Sequence, residues 1–176
     1  MQRIVSDVSF PRQSGEIAVS KKLVCYYSHT GHTQKIAELI AENIGADIER
    51  IIDAKSREGV LGYLTAGRDA MLKRQSRIQP TRKDPSQYDV VILGTPIWAW
   101  NLSPPMRTYI SEQKAKFNQV AFFCTEGGAG GNRAFRQMAN LIGKQPVATL
   151  ELNETDLKGE SYKDKVDGFV EQLAVT

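Results

Sequence analysis

The sequence predicts a doubly wound α/β domain, and three observations carry that expectation. Apolar runs of strand length alternate with segments of helical period along most of the 176 residues. Alternation of this kind builds a parallel sheet with helices on both faces. Several of the runs are apolar at consecutive positions, as strands buried on both faces are. With 41% hydrophobic and 24% charged residues, the chain suits one globular domain with a full core.

The first strand is read at 22–28, KLVCYYS. Ile36, Leu39, Ile40 and Ile44 then fall at i, i+3, i+4 and i+8, the stripe of an amphipathic helix, and Gly45 can end it. Residues 46–52 (ADIERII) alternate and so read as a second, less buried strand. A helical segment is expected over 59–75, with Val60, Leu61, Leu64, Met71 and Leu72 on one side, then a polar loop carrying Pro80 and Pro85. The third strand is read at 88–94 (YDVVILG). A helix over 104–116 follows it, with proline in the first turn, where a missing N–H costs little. The fourth strand is expected at 120–125 (VAFFCT), a helix at 133–142 with Phe135, Met138 and Ile142 inward, and the fifth strand at 147–152. The last helix carries Val166, Phe169, Val170 and Leu173. Residues 1–20 form an N-terminal extension ahead of a domain at 21–176. That extension reads either as disordered or as a short edge strand built on Ile4, Val5, Val8 and Phe10.

The net charge is +3, mildly basic, and is no nucleic-acid signature by itself. Arg68, Lys73, Arg74, Arg77, Arg82 and Lys83 do gather in one segment, which reads as a solvated face or as a docking patch for an acidic partner or phosphorylated cosubstrate. No run of 18 apolar residues is present and the N-terminus has no apolar h-region, so the expected location is the cytoplasm. Cys25 and Cys124 both sit in strands and read as small buried hydrophobes, and no Cys/His spacing suits a metal.

The segment Ser28-His29-Thr30-Gly31-His32-Thr33 joins the first strand to the first helix and holds both histidines of the chain. In doubly wound sheets ligands bind beyond the carboxyl ends of the strands. The helix start offers free N–H groups and partial positive charge, the hydroxyls add donors, and Gly31 permits close backbone approach. The loop reads as a cradle for one phosphate or as an ordinary N-cap, with Thr30 or Ser28 capping the helix. It has neither the G-x-x-x-x-G-K-[ST] nor the G-x-G-x-x-G spacing, which argues against nucleoside triphosphate or dinucleotide chemistry. A low-molecular-weight phosphatase needs C-x5-R, but counting from Cys25 and Cys124 reaches Gly31 and Gly130. A response-regulator receiver needs an aspartate after the third strand, where Gly94-Thr95-Pro96 stands.

The loop resembles the T/S-x-T-G-x-T phosphate loop of the flavodoxin family at Ser28, Thr30, Gly31 and Thr33. GTPIWAWNLSPPMRTYI after the third strand is similar to the family's first flavin loop, and CTEGGAGGNRAF after the fourth to its second. The likeness spans 22–174 without a long insertion in the fifth strand, as in a short-chain member. It implies a flavodoxin-like five-stranded parallel sheet in the order 2-1-3-4-5 with helices on both faces, and FMN as cofactor. It also implies roles for particular residues. Ser28, His29, Thr30, Gly31, His32 and Thr33 are expected to hold the phosphate; Thr95, Pro96, Ile97, Trp98 and Asn101 to line the ring; and Thr125, Glu126, Gly127, Gly128 and Gly130 to line its other edge. In the order 2-1-3-4-5 the third strand separates the two cysteines, too far for a disulfide.

The resemblance leaves two redox roles open, with the chemistry carried by the flavin and no catalytic triad or metal expected. One is electron transfer to a redox partner protein. The other is an FMN-dependent oxidoreductase that takes hydride from NAD(P)H and reduces a small acceptor such as a quinone, to which a homodimer could belong. The chain departs from classical carriers by being slightly basic and by having no aromatic residue in 125–134, where those usually place a tyrosine. A flavodoxin-fold adaptor that has lost flavin is the remaining alternative.

Overall fold

The computed structural model describes residues 20–54, 75–159 and 161–174. The expected 59–75 helix, except its last residue, and residues 1–19 of the N-terminal extension lie outside the described residues.

The strands are β1 (Lys22–Tyr26), β2 (Asp47–Arg50), β3 (Val90–Trp98), β4 (Asn101–Leu102), β5 (Gln119–Glu126) and β6 (Thr149–Asn153). Five of them form a parallel sheet in the order β2-β1-β3-β5-β6, the 2-1-3-4-5 order of the sequence reading once the two-residue β4 is set aside. The helices among the described residues are α1 (His32–Ile44), α2 (Pro104–Gln113), α3 (Gly131–Ile142), α4 (Glu154–Lys158) and α5 (Tyr162–Ala174).

Strand side chains alternate between the faces, and the core divides accordingly. Val24, Tyr26, Val90, Ile92, Ala121, Phe123, Leu150 and Leu152 pack with α1 and α5. Leu23, Cys25, Val91, Leu93, Val120, Phe122 and Cys124 pack with α2 and α3. The predicted α1 stripe is on the correct side: Ile36 and Ile40 are fully buried, each contributing about 1.5–3 kcal/mol of transfer free energy. Both cysteines are free and fully buried, on strands that β3 separates. Burial raises the Cys25 thiol to about 12, against a hydrogen bond of 3.0 Å between its Sγ and the Tyr109 hydroxyl.

Most element ends fall within two residues of the sequence reading, and three larger differences stand out. The third strand does not stop at Gly94 but runs to Trp98 and doubles back through Ala99 and Trp100 into β4. The helix over 104–116 is α-helical to Gln113 and tightens into a 3₁₀ turn over Lys114–Lys116. The short α4 lies between the fifth parallel strand and the last helix. Its signal is a capping box: Asn153 Oδ1 accepts from the Asp156 N–H (2.9 Å), and Asp156 Oδ2 accepts from the Asn153 N–H (2.9 Å).

Candidate functional site

Three loops leave the carboxyl ends of β1, β3 and β5, adjacent strands, and so meet at one edge of the sheet. The first is Ser28–Gly31. Gly31 takes φ +93°, a left-handed conformation, to turn the chain into α1. Ser28 is buried and its Oγ accepts from the Gly31 N–H at 3.2 Å. No side chain caps α1, so its first-turn N–H groups point at the space in front of the loop. Thr30 and His32 are exposed and His29 half-buried, while Thr33 is buried. The Thr33 hydroxyl shares a 2.8 Å hydrogen bond with that of Thr125 at the end of β5. That bond ties the first loop to the third.

The second loop is the β3–β4 hairpin. Trp98 and Asn101 pair across it, leaving a two-residue turn of Ala99 (φ +46°) and Trp100 (φ +59°). Two successive positive φ values suit Asn-Gly; Ala-Trp is an unfavourable occupant, and for a bulky residue the conformation is strained. Contacts from other elements hold it. Asn101 Nδ2 donates to the Ala99 carbonyl at 2.6 Å, and Asn101 Oδ1 accepts from Gln137 Nε2 of α3 at 2.8 Å. Thr95 Oγ1 lies 2.9 Å from Ser103 Oγ at the start of α2 and donates to the Pro96 carbonyl at 3.0 Å, so this hydroxyl braces the base of the hairpin. Pro96 and Ile97 are half-buried. Trp98 is buried and stands edge-on to Tyr27 and His29, with ring centroids 5.6 Å and 5.7 Å away. The exposed aromatic of the site is instead Trp100, at 63% of its full accessibility.

The third loop runs from Glu126 to Gly130, ahead of α3. Gly127 and Gly128 are exposed. Gly130 takes φ +133°, and a Cβ there would come within 3.0 Å of Trp100 Cα and of Ile97 Cγ2. The hairpin tip therefore rests on the space this glycine leaves. Glu126 is buried, and its Oε2 accepts from the Gly131 N–H at 3.0 Å, closing the loop on itself. Glu151 of β6 hydrogen-bonds to the same carboxyl, and its own carboxyl fills the place where Gly131 would carry a Cβ. Burial first, then Glu151, pushes Glu126 up to about 7, against the Gly131 N–H, which lowers it. Glu126 therefore keeps its proton to a higher pH than an ordinary carboxyl does.

The three loops thus bring the sequence-predicted residues to one edge, but in different settings. The phosphate-loop residues surround an uncapped helix start. Thr95, Asn101 and Thr125 are spent on internal hydrogen bonds that shape the loops. Sequence reasoning assigned no role to Trp100 and missed Ser103, Gln137 and Glu151. The last stood out only as an acid between Leu150 and Leu152 in a strand. Of the basic segment, Arg82 and Lys83 help to line a cleft of about 660 Å³ beside β2, which no residue of the three loops lines.

A family model described as Flavodoxin matches residues 21–173. Among solved structures, the chain is similar to a flavoprotein in complex with FMN from Lactobacillus acidophilus, with 22% identity and a TM-score of 0.67 over 81% of this chain and 99% of that one. A Bacteroides eggerthii protein assigned as a flavoprotein has 26% identity and a TM-score of 0.65 over 84% and 98%. A flavodoxin, WrbA-like protein from Agrobacterium tumefaciens has 20% identity and a TM-score of 0.51 over 87% and 98%.

Proposed function

Because the chain belongs to the flavodoxin family, we propose that it binds one FMN across the three loops and works as a redox protein with a small-molecule acceptor. The observation that carries this reading is the junction of an uncapped α1 start with the hairpin and the glycine loop at one sheet edge. The residues fit the group. The donors at α1 are backbone N–H groups, hydroxyls of Ser28 and Thr30, and two imidazoles, a set suited to one phosphate monoester. The hairpin and the Glu126–Gly130 loop flank the neighbouring space with an exposed indole and bare backbone, which suits a flat ring.

FMN when bound supplies the exchange of one or two electrons. The chain's own residues bind and orient. Ser28, Thr30 and the first turn of α1 hold the phosphate, and Gly31 keeps side-chain bulk out of its way. The Thr33–Thr125 bond fixes the distance between the phosphate end and the glycine loop. The Glu126–Gly131 bond fixes the shape of that loop, and Glu126, raised by burial and by Glu151, can keep a proton next to it. Among the described residues no helix is long and apolar enough to cross a membrane.

The finer reading is a reductase that accepts hydride from NAD(P)H and passes electrons to a quinone-like acceptor. It is favoured by the absence of any aromatic residue in 125–134, which leaves one ring face uncovered by this loop. Heat release followed by mass measurement tests the cofactor: FMN at one per chain is expected, and FAD, or no flavin after reconstitution, refutes the reading. Anaerobic mixing with NADPH tests the reductase: bleaching of the flavin absorbance within turnover time is expected, and none with either nicotinamide points to a protein partner as donor.

A further inference from the structure

Arg107 lies on α2, two hydrogen-bonded side chains from the hairpin, and only 6% of it is exposed. Among the described residues no carboxylate pairs with it. One Nη2–H donates to Gln137 Oε1 at 2.8 Å, and its Nε has no partner. Burial lowers its pKa from the ordinary value, because desolvation disfavours the charged form. A buried charge without a counter-charge is costly. A bound anion beside it would offset that cost.

The guanidinium is also the head of a directed chain. Gln137 Nε2 donates to Asn101 Oδ1 at 2.8 Å, and Asn101 Nδ2 donates to the Ala99 carbonyl at 2.6 Å. Every donor in this series points away from the positive charge, so each bond strengthens the next. The chain ends on the carbonyl of the first of two residues held at positive φ. We propose that Arg107, through Gln137 and Asn101, is the positioning residue that holds the Ala99–Trp100 tip against the bound ring, and that its charge favours the ring's anionic, fully reduced form. This rests on the FMN reading. A flavin that takes up two electrons and one proton gains one negative charge, and among the described residues Arg107 is the one buried cation.

The test uses the full chain with FMN and three variants. Arg107→Met removes the charge and keeps bulk. Arg107→Lys keeps the charge but loses the planar fork. Gln137→Leu cuts the chain and leaves the charge. Arg107→Met is expected to bind FMN at least tenfold more weakly and to shift the second one-electron couple about 59 mV more negative, the equivalent of a tenfold change. Arg107→Lys should hold the potential and lose part of the affinity. Gln137→Leu should alter the near-ultraviolet circular dichroism of the tryptophans and weaken binding, with the potential unchanged. A folded Arg107→Met with the parent's affinity and potential overturns the proposal. If that variant does not fold, Gln137→Leu with the parent's affinity and tryptophan signal overturns it instead. If the parent itself takes up no FMN, the cofactor reading fails on its own. The tryptophan signal of cofactor-free Gln137→Leu then decides the positioning claim: unchanged, it overturns it.

Discussion

Replacing Glu151 by glutamine should make the protein more stable at alkaline pH and leave it nearly unchanged in acid. The Glu126 carboxyl faces the Gly131 N–H from α3, Glu151 from β6 and the buried Cys124 thiol two residues back on β5. Of these, only the N–H favours the charged form. The folded state therefore prefers the protonated acid, whose pKa rises from the ordinary 4.5 to about 7. The sign follows directly. The contribution is complete below about pH 4.5 and is lost as pH rises through about 7. A rise of that size corresponds to roughly 3 kcal/mol, and since burial is its largest cause, replacing Glu151 should recover about 1 kcal/mol of it. In Glu151→Gln an amide N–H can donate to the Glu126 carboxylate, and the like charge is gone. At pH 8 the variant should unfold about 2–4 °C above the parent, taking about 2–4 °C per kcal/mol for a chain of this size. At pH 4.5 the two should coincide within about 1–2 °C. Thermal unfolding of cofactor-free protein by far-ultraviolet circular dichroism, from pH 4.5 to 8, measures both. Parallel profiles for parent and variant would refute the reasoning, since they would mean that Glu151 does not raise Glu126.

Gly130→Ala places a Cβ against the Trp100 backbone at a left-handed φ and should cost about 1–3 kcal/mol in stability; chemical denaturation checks it. Thr33→Val or Thr125→Val leaves one buried hydroxyl without its partner and should cost about 1–3 kcal/mol each, whereas the double variant should cost clearly less than their sum. A double-mutant cycle on unfolding free energy reads the difference. Both thiols should resist iodoacetamide in the native protein and react in denaturant, because both are buried and held protonated; mass measurement before and after counts the labels. The second one-electron couple of bound FMN should lie within about 120 mV of the free cofactor. No acid occurs in 28–33 or 95–111, and the single acid in the glycine loop, Glu126, is half-protonated near neutrality. Spectroelectrochemical titration checks this.

The sheet order and the two faces of the core were legible because they depend on local period: alternation in the strands, and the Ile36–Ile40–Ile44 stripe in α1. The phosphate loop was legible for the same reason, as a change of period with hydroxyls and glycine at the junction. The hairpin was not. Gly94-Thr95-Pro96 has the composition of a strand end, and Ala99-Trp100 is not turn chemistry. Its conformation is imposed by Asn101, Gln137 and the missing side chain of Gly130, contacts that exist only once β5 and α3 are in place. Glu126 and Glu151 are likewise strangers in sequence. The register that sets Cys124 beside Glu151 makes them diagonal neighbours on one face. The capping box of α4 was readable in Asn153-Glu154-Thr155-Asp156 and was passed over because the helix it starts has barely more than one turn.

The seat of the Trp100 backbone on Gly130 joins two segments that lie 30 positions apart in the chain. In the evolutionary history of such chains these positions cannot drift independently. A side chain gained at 130 must be matched by a shortened or rebuilt turn at 99 and 100. A glycine or asparagine arriving in the turn would relax the need for the Asn101 and Gln137 braces. Lineages should therefore inherit the tip, its seat and its braces as a block, and chimeras that exchange one loop without the other should be poor parents for directed evolution.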